Sequence, residues 1–318
     1  MKKIKPLVSI CIPTYNRSEY LLHSLKSLSE QIAKHDGEVE VVISDNASTD
    51  DTKEVCENFC KRNKFFHYYR NDINVKDKNF GISLSRGNGE LLKLSKDTAI
   101  YKPDAVERLL NAYNKYVETK PQLYFSNNNF VNTKTKRKEY DALNKEDFML
   151  DASYWITDIL SFSVWKEDFL KVCNDSEGYE LNLWQVDKLC KLIDNKNSVI
   201  SVNHRLAEIE MAKNKDLTYG LFNVFHNNFI SILRKYNISE EIVQSVRKDL
   251  LLNFFSYFVV LRKSGRNDMM YSNKESFEQE IRKAYHNEKY YKKYVFKVLY
   301  LTIRRPFVKI AKKILRRT

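Results

Sequence analysis

A chain of 318 residues with 43% hydrophobic content has room for one large domain and an appendage, and its 7 Gly and 5 Pro beside 20 Tyr and 18 Phe exclude a disordered or low-complexity protein. The formal charge of +13 narrows the partners to nucleic acid, an anionic membrane surface or phosphorylated substrates. Five cysteines, Cys11, Cys56, Cys60, Cys173 and Cys190, form no disulfide framework, which points to a reducing, cytosolic compartment, and no apolar run is long enough for a membrane span or a signal peptide. In chain order, the apolar run Leu7–Ile12 predicts a buried first strand, ended by Pro13, which cannot donate to a ladder. Ser18–Ser29 carries Leu21, Leu22, Leu25 and Leu28 at helical spacing. Val39–Ser44 is a second strand that ends at Asp45-Asn46. Ser48-Thr49-Asp50-Asp51 then starts a helix over Thr52–Cys60, and Phe65–Tyr69 is a third strand. The order β-α-β-α-β requires a parallel sheet.

No GxGxxG accompanies these elements, so the dinucleotide fingerprint is absent. Cys56 and Cys60 lie one helical turn apart with His67 following, but no fourth ligand is nearby, and they read as helix cysteines packed on the sheet. Lys76 and Lys78 sit in a polar loop. Gly89–Asp104 reads as a buried strand (Leu91, Leu92, Leu94), a polar turn carrying Asp97, and a helix opening at Pro103 that continues through Ala105–Tyr113. A strand that ends in an Asp-bearing polar turn is where α/β proteins hold ligands.

These residues carry a resemblance. Val8-Ser9-Ile10-Cys11-Ile12-Pro13-Thr14-Tyr15-Asn16-Arg17 and Val42-Ile43-Ser44-Asp45-Asn46-Ala47-Ser48-Thr49-Asp50-Asp51-Thr52 resemble the opening of family 2 glycosyltransferases of the GT-A fold. Asn79 through Gly89-Glu90, then Pro103-Asp104-Ala105, are similar to the same family's next block. The resemblance implies a Rossmann-like mixed, mainly parallel sheet flanked by helices, with a nucleotide-sugar donor site. Pro13, Thr14 and Tyr15 are then expected to line the base and ribose, Asp45 to hold either of them, and Lys78 and Asn79 to lie near the diphosphate.

The family also implies two or three aspartates after the fourth strand, the last gripping Mn²⁺ or Mg²⁺. Here the block reads Asp97-Thr98-Ala99, so the last aspartate of the usual motif is Ala99, which has no ligand atom. Three accounts stay open: a metal held by Asp97 and Thr98, a lysine (Lys93 or Lys96) replacing the metal, or an inactive site. An inverting transferase needs a carboxylate to deprotonate the acceptor. Asp158, Glu177, Glu180 and Asp187 are the candidates, with Asp187, beside Trp184 at a helix start, placed first and Glu180 second.

Between these blocks, Leu123-Tyr124-Phe125 predicts a strand running into Asn127-Asn128-Asn129, Lys134–Lys145 an exposed loop or hairpin, and Trp165–Leu170 a short strand feeding a helix. From about Leu217 the pattern is helical: Leu221–Tyr236, a helix from Ser239 to about Lys263 ended by Gly265, and Ser272–Tyr285. Lys289–Thr318 holds eleven Lys or Arg and no acid, interleaved with aromatic and aliphatic residues, with Pro306 dividing two amphipathic segments. Such a segment suits an anionic membrane surface, a helix packed on its own domain, or a nucleic-acid tail; the apolar residues favour the membrane.

The expectation is therefore a GT-A domain over 1–215, a helical region over 216–288 and a basic amphipathic membrane-associating segment over 289–318. The expected function is sugar transfer from a nucleotide-sugar donor to a glycan or lipid-linked acceptor of bacterial surface polysaccharide, on the cytoplasmic face of the inner membrane, with no nucleic-acid partner. The alternative is a non-catalytic nucleotide-sugar or glycan-binding partner of such a pathway.

Overall fold

The structure, a computed structural model, describes residues 5–126, 138–174, 178–196, 198–210, 215–217, 220–263, 269–271 and 276–315; for 215–217, 269–271, 276 and 305–315 it describes the backbone only. Asn127-Asn128-Asn129, Glu177 and Gly265 lie outside these residues. The chain forms two compact units, Met1–Ala212 and Lys213–Thr318.

The first unit is a mixed, mainly parallel α/β fold. Its strands are β1 (Val8–Thr14), β2 (Val39–Asp45), β3 (Phe66–Arg70), β4 (Leu91–Leu94), β5 (Ala99–Tyr101), β6 (Gln122–Phe125), β7 (Tyr140–Leu143), β8 (Ser163–Trp165), β9 (Val199–Val202) and β10 (Ala207–Ile209). Its helices are α1 (Ser18–Ala33), α2 (Thr52–Arg62), α3 (Lys78–Ser85), α4 (Ala105–Tyr116), α5 (Lys145–Ala152), α6 (Lys166–Val172) and α7 (Trp184–Lys196). The main sheet has the order β3-β2-β1-β4-β8, parallel except for β8, and β6-β9-β7 form a second sheet. Every residue of β1 and β2 is buried, as a central parallel sheet covered on both faces demands. Leu21, Leu25, Leu28 and Ile32 of α1 lie on one helix face in the core, and each full burial contributes about 1.5–3 kcal/mol. Gly89 passes so close to β1 that a Cβ would stand 2.6 Å from the Ser9 nitrogen, so only glycine fits.

Three expectations change here. β1 continues through Pro13, because β4 leaves β1 after the pair Cys11↔Leu94 and only β2 remains alongside, so the missing N–H is tolerated. Lys78 and Asn79 open helix α3 and are not in a loop. Ala99 lies in β5, paired with Ile209 of β10, and not in the polar turn.

The second unit contains β11 (Lys215–Leu217) and β12 (Met269–Tyr271), paired in parallel, and helices α8 (Phe229–Lys235), α9 (Glu240–Asp249), α10 (Ser256–Lys263), α11 (Ser276–Tyr285) and α12 (Tyr291–Leu315). Wide π-type turns at Asn223–Asn228 and Leu250–Phe255 interrupt what the sequence presents as continuous helices. Phe255 is the hub of its core, with Phe222 at 5.4 Å and Phe277 at 5.8 Å between ring centroids. Contrary to the expected division at Pro306, α12 runs through that residue; proline forfeits a single backbone hydrogen bond of a 25-residue helix.

Candidate active site at the strand ends

β1 leads through α1 to β2 on one side, while β4 lies on its other side. The carboxyl ends of β1 and β4 therefore form the switch point of the sheet, where the chain departs in opposite directions and leaves a crevice. Thr14 ends β1, Asp45 ends β2, and Asp97 follows β4.

Two loops meet at the first two strand ends. The Asn16 backbone N–H donates to Ser48 Oγ at 2.9 Å, and the Thr49 N–H donates to Asn16 Oδ1 at 2.7 Å. Asp50 accepts from the Ser18 N–H and the Thr52 N–H, each at 3.1 Å, so one carboxylate satisfies the first residue of both α1 and α2. Burial pushes Asp50 up, but the Thr52 and Ser18 donors outweigh it and hold the group below the ordinary carboxylate value.

Asp45 is wholly buried. It accepts from Tyr68 Oη and Arg70 Nη1, both at 2.7 Å, and from the Ser48 N–H at 2.9 Å. Behind it lies an amide network. Asn79 donates to the Ser44 carbonyl at 2.8 Å and accepts from Ser44 Oγ at 2.6 Å, while Arg86 reaches Ser44 Oγ at 2.6 Å and Asn71 Oδ1 at 2.8 Å. Asn79, expected near the diphosphate, spends its side chain fastening α3 to β2. Lys78 is exposed beside it.

At the other strand end, Asp97 is 3% exposed; its Oδ1 accepts from Arg17 Nη1 at 3.0 Å and its Oδ2 from Thr14 Oγ1 at 3.1 Å. Burial raises this carboxyl above its ordinary value, against the pull of Arg17. Lys96 pairs with Asp158 at 2.7 Å. Burial pushes Asp158 up, yet Lys96 pulls it below the ordinary value, so it stays ionised. Pro13 is buried, and Tyr15 is 42% exposed at the mouth.

Several assignments take a different form. Lys93 is fully buried, as is every residue of β4; its ammonium donates to the Leu94 carbonyl at 2.9 Å and to that of Leu160, with the Phe125 ring 5.5 Å away. Burial pushes this lysine down to about 7. Asp187 is fully buried in α7, with Lys188 Nζ at 3.0 Å, and Glu180 is exposed. Tyr179 stacks on Trp184 at 5.6 Å and covers α3 where Gly81 leaves room for its hydroxyl. Arg17, Tyr68, Arg70 and Arg86 were not assigned from sequence. Arg17 directly follows Pro13-Thr14-Tyr15-Asn16, and Arg70 pairs in register with Asp45, which are the signals that locate them.

The expected Mn²⁺ or Mg²⁺ fails the test of its ligands. Each oxygen of Asp97 already accepts a hydrogen bond, one of them from a cation, Ala99 is fully buried in the core, and among the described residues no group of three or more His, Cys, Asp or Glu is placed to hold a metal.

Comparison with solved structures defines the class: the fold is that of GT-A glycosyltransferases. The chain is similar to S. aureus TarS 1–349 in complex with UDP (TM-score 0.57, 14% identity, 94% of this chain and 91% of that one). It is also similar to the mannosyltransferase PcManGT from Pyrobaculum calidifontis in complex with GDP-Man and Mn²⁺ (TM-score 0.56, 14% identity, 94% and 85%). Residues 9–169, half of the chain, match Glycosyl transferase family 2, and the chain belongs to that family. Curated relatives include the abequosyltransferase RfbV of Salmonella typhimurium (35% identity, 39% of this chain and 45% of that one). Another is the GalNAc(5)-diNAcBac-PP-undecaprenol beta-1,3-glucosyltransferase of Campylobacter jejuni (31%, with 35% of each chain covered). The chain spans less than half the length of these relatives.

Proposed function

We propose that the protein transfers a sugar from a nucleotide-sugar donor to a glycan or lipid-linked acceptor of bacterial surface polysaccharide. The observation that carries this is the meeting of Thr14, Arg17 and Asp97 across the switch point, in a family of glycosyltransferases. The fold neighbours in complex with UDP and GDP-Man support a nucleotide donor, and the relative named for an undecaprenol-linked acceptor supports a lipid-linked one.

In the transfer, the acceptor hydroxyl oxygen bonds to the anomeric carbon as the bond from that carbon to the diphosphate oxygen breaks, with inversion. The electron pair leaves on the nucleoside diphosphate, and the hydroxyl proton passes to a carboxylate. Asp158 takes that role in place of Asp187: it is ionised and adjoins the Asp97 turn through Lys96, whereas Asp187 is closed off beside Lys188. No step is assigned to Mn²⁺ or Mg²⁺. A thermal-shift panel of nucleotide sugars tests the donor: one of them is expected to raise the unfolding temperature, and no shift with any overturns the reading.

The same reading places the protein on the cytoplasmic face of the inner membrane. Val295, Leu299 and Ile303 of α12 follow one another at four-residue spacing, with Phe296 (71% exposed) and Tyr300 beside them, while Tyr294 and Val298 are buried on the other side. Lys292, Lys293 and Arg304 are exposed along this stripe, and 289–318 carries no acid. A basic helix with an open apolar stripe suits an anionic bilayer surface. Among the described residues no helix is long and apolar enough to cross a membrane. Phe296→Glu combined with Leu299→Glu is expected to abolish co-sedimentation with phosphatidylglycerol vesicles; retained pelleting sinks the docking face.

A further inference from the structure

We infer that Arg17, held on Asp97, supplies the positive charge that neutralises the departing nucleoside diphosphate, so that donor binding needs no divalent cation. This rests on the donor reading above and specifies how the same site handles its charge.

Transfer builds negative charge on the leaving diphosphate, and that charge requires a counter-charge already in position. Three features of the β4 end assign that role to an arginine. First, the guanidinium stands 3.0 Å from Asp97 Oδ1, on the carboxylate of the β4 turn expected to hold a cation, and like charges exclude each other from that position. Second, the position expected to supply a second carboxylate is Ala99, buried in β5 with its backbone paired to Ile209, so it faces no crevice. Third, the Arg17 side chain is 31% exposed while Asp97 is 4% exposed, so the pair presents its cationic face outward.

The guanidinium has five donors, and the fixed contact to Asp97 uses one of them. The remainder match phosphate oxygens in forked geometry. Asp97 then acts as a positioning residue. It restrains the arginine so that less side-chain freedom is lost when the diphosphate arrives.

The test is calorimetric titration of the full chain with UDP, GDP, CDP and dTDP, each in EDTA and again with Mn²⁺. One nucleotide is expected to bind with the same Kd, within about twofold, in both buffers. Arg17→Ala is expected to weaken it at least about tenfold without rescue by Mn²⁺, and Arg17→Lys to restore part of the loss. Binding that appears only with Mn²⁺, or that survives Arg17→Ala unchanged, overturns the inference while leaving the donor reading intact. Binding by none of the four in either buffer removes the donor reading, and this inference with it. The wild-type comparison of EDTA with Mn²⁺ decides the matter even if an Arg17 variant fails to fold.

Discussion

β2 and β4 each end in a buried aspartate paired with an arginine, yet the two ends are built differently. Asp45 takes its donors from the same side of the sheet: Tyr68 and Arg70 on the adjacent β3, and Ser48 in its own loop. Asp97 takes its side-chain donors, Thr14 and Arg17, from the β1 end across the switch point. The first arrangement is a brace that closes on itself. The second spans the crevice, joining the β4 turn to the end of β1. A buried aspartate at a strand end is therefore not by itself a ligand site; the origin of its donors separates a structural role from a binding one.

Four tests bear on this contrast, taken from the largest effect. Ala99→Asp tests whether the β4 end is a degraded metal site or a rebuilt one. A carboxylate there enters the core without a partner, and a loss of roughly 3–5 kcal/mol in urea unfolding is expected. Tighter Mn²⁺ binding with unchanged stability contradicts the rebuilt site. Asp45→Ala comes next, at about 2–3 kcal/mol, because it leaves the Tyr68 hydroxyl and the buried Ser48 N–H without their acceptor; Asp97→Ala costs about 1 kcal/mol or less, since burial already penalises its charge and the part-exposed Arg17, like Arg70, re-solvates. Equal costs erase the distinction between brace and cradle.

Lys93 provides the third test. Its native value is near 7 and an unfolded lysine titrates near 10.5, so between these the unfolded chain binds more protons. Stability is accordingly expected to rise with pH from about 7 toward 10, by at most about 1.4 kcal/mol per pH unit. Lys93→Met removes that slope; a slope retained in the variant assigns it to another group. The smallest effect is at the β2 loop, where Ala47 holds φ at +61°. Ala47→Gly relieves this left-handed strain, and a gain of about 1 kcal/mol is expected in chemical unfolding.

The alternation of β1, β2 and their helices was legible because continuous apolar strands and leucines at helical spacing leave a one-dimensional signal, and the start of α2 followed from Ser48-Thr49-Asp50-Asp51. Asp45, Thr14 and Asp97 were correctly located at strand ends, but their partners were not, since the pairs Thr14–Asp97 and Arg17–Asp97 join residues about eighty positions apart. Lys93 misled because a charge in an apolar strand resembles a functional residue; only the sheet decides which face it meets. β5 was hidden because three residues, Ala99–Tyr101, are too few to display a period, and their partner is β10, more than a hundred positions away.

The two helix starts that share Asp50 constrain how the chain can vary. Ser18 and Thr52 are 34 positions apart in sequence and each donates to one oxygen of the same carboxylate, while Asn16 and Ser48 tie the loops just before them. A residue inserted into either loop displaces a helix start in both, so neither can change length alone. Insertions are then expected to be tolerated away from 13–17 and 45–51, in connections whose backbone is not held from two sides.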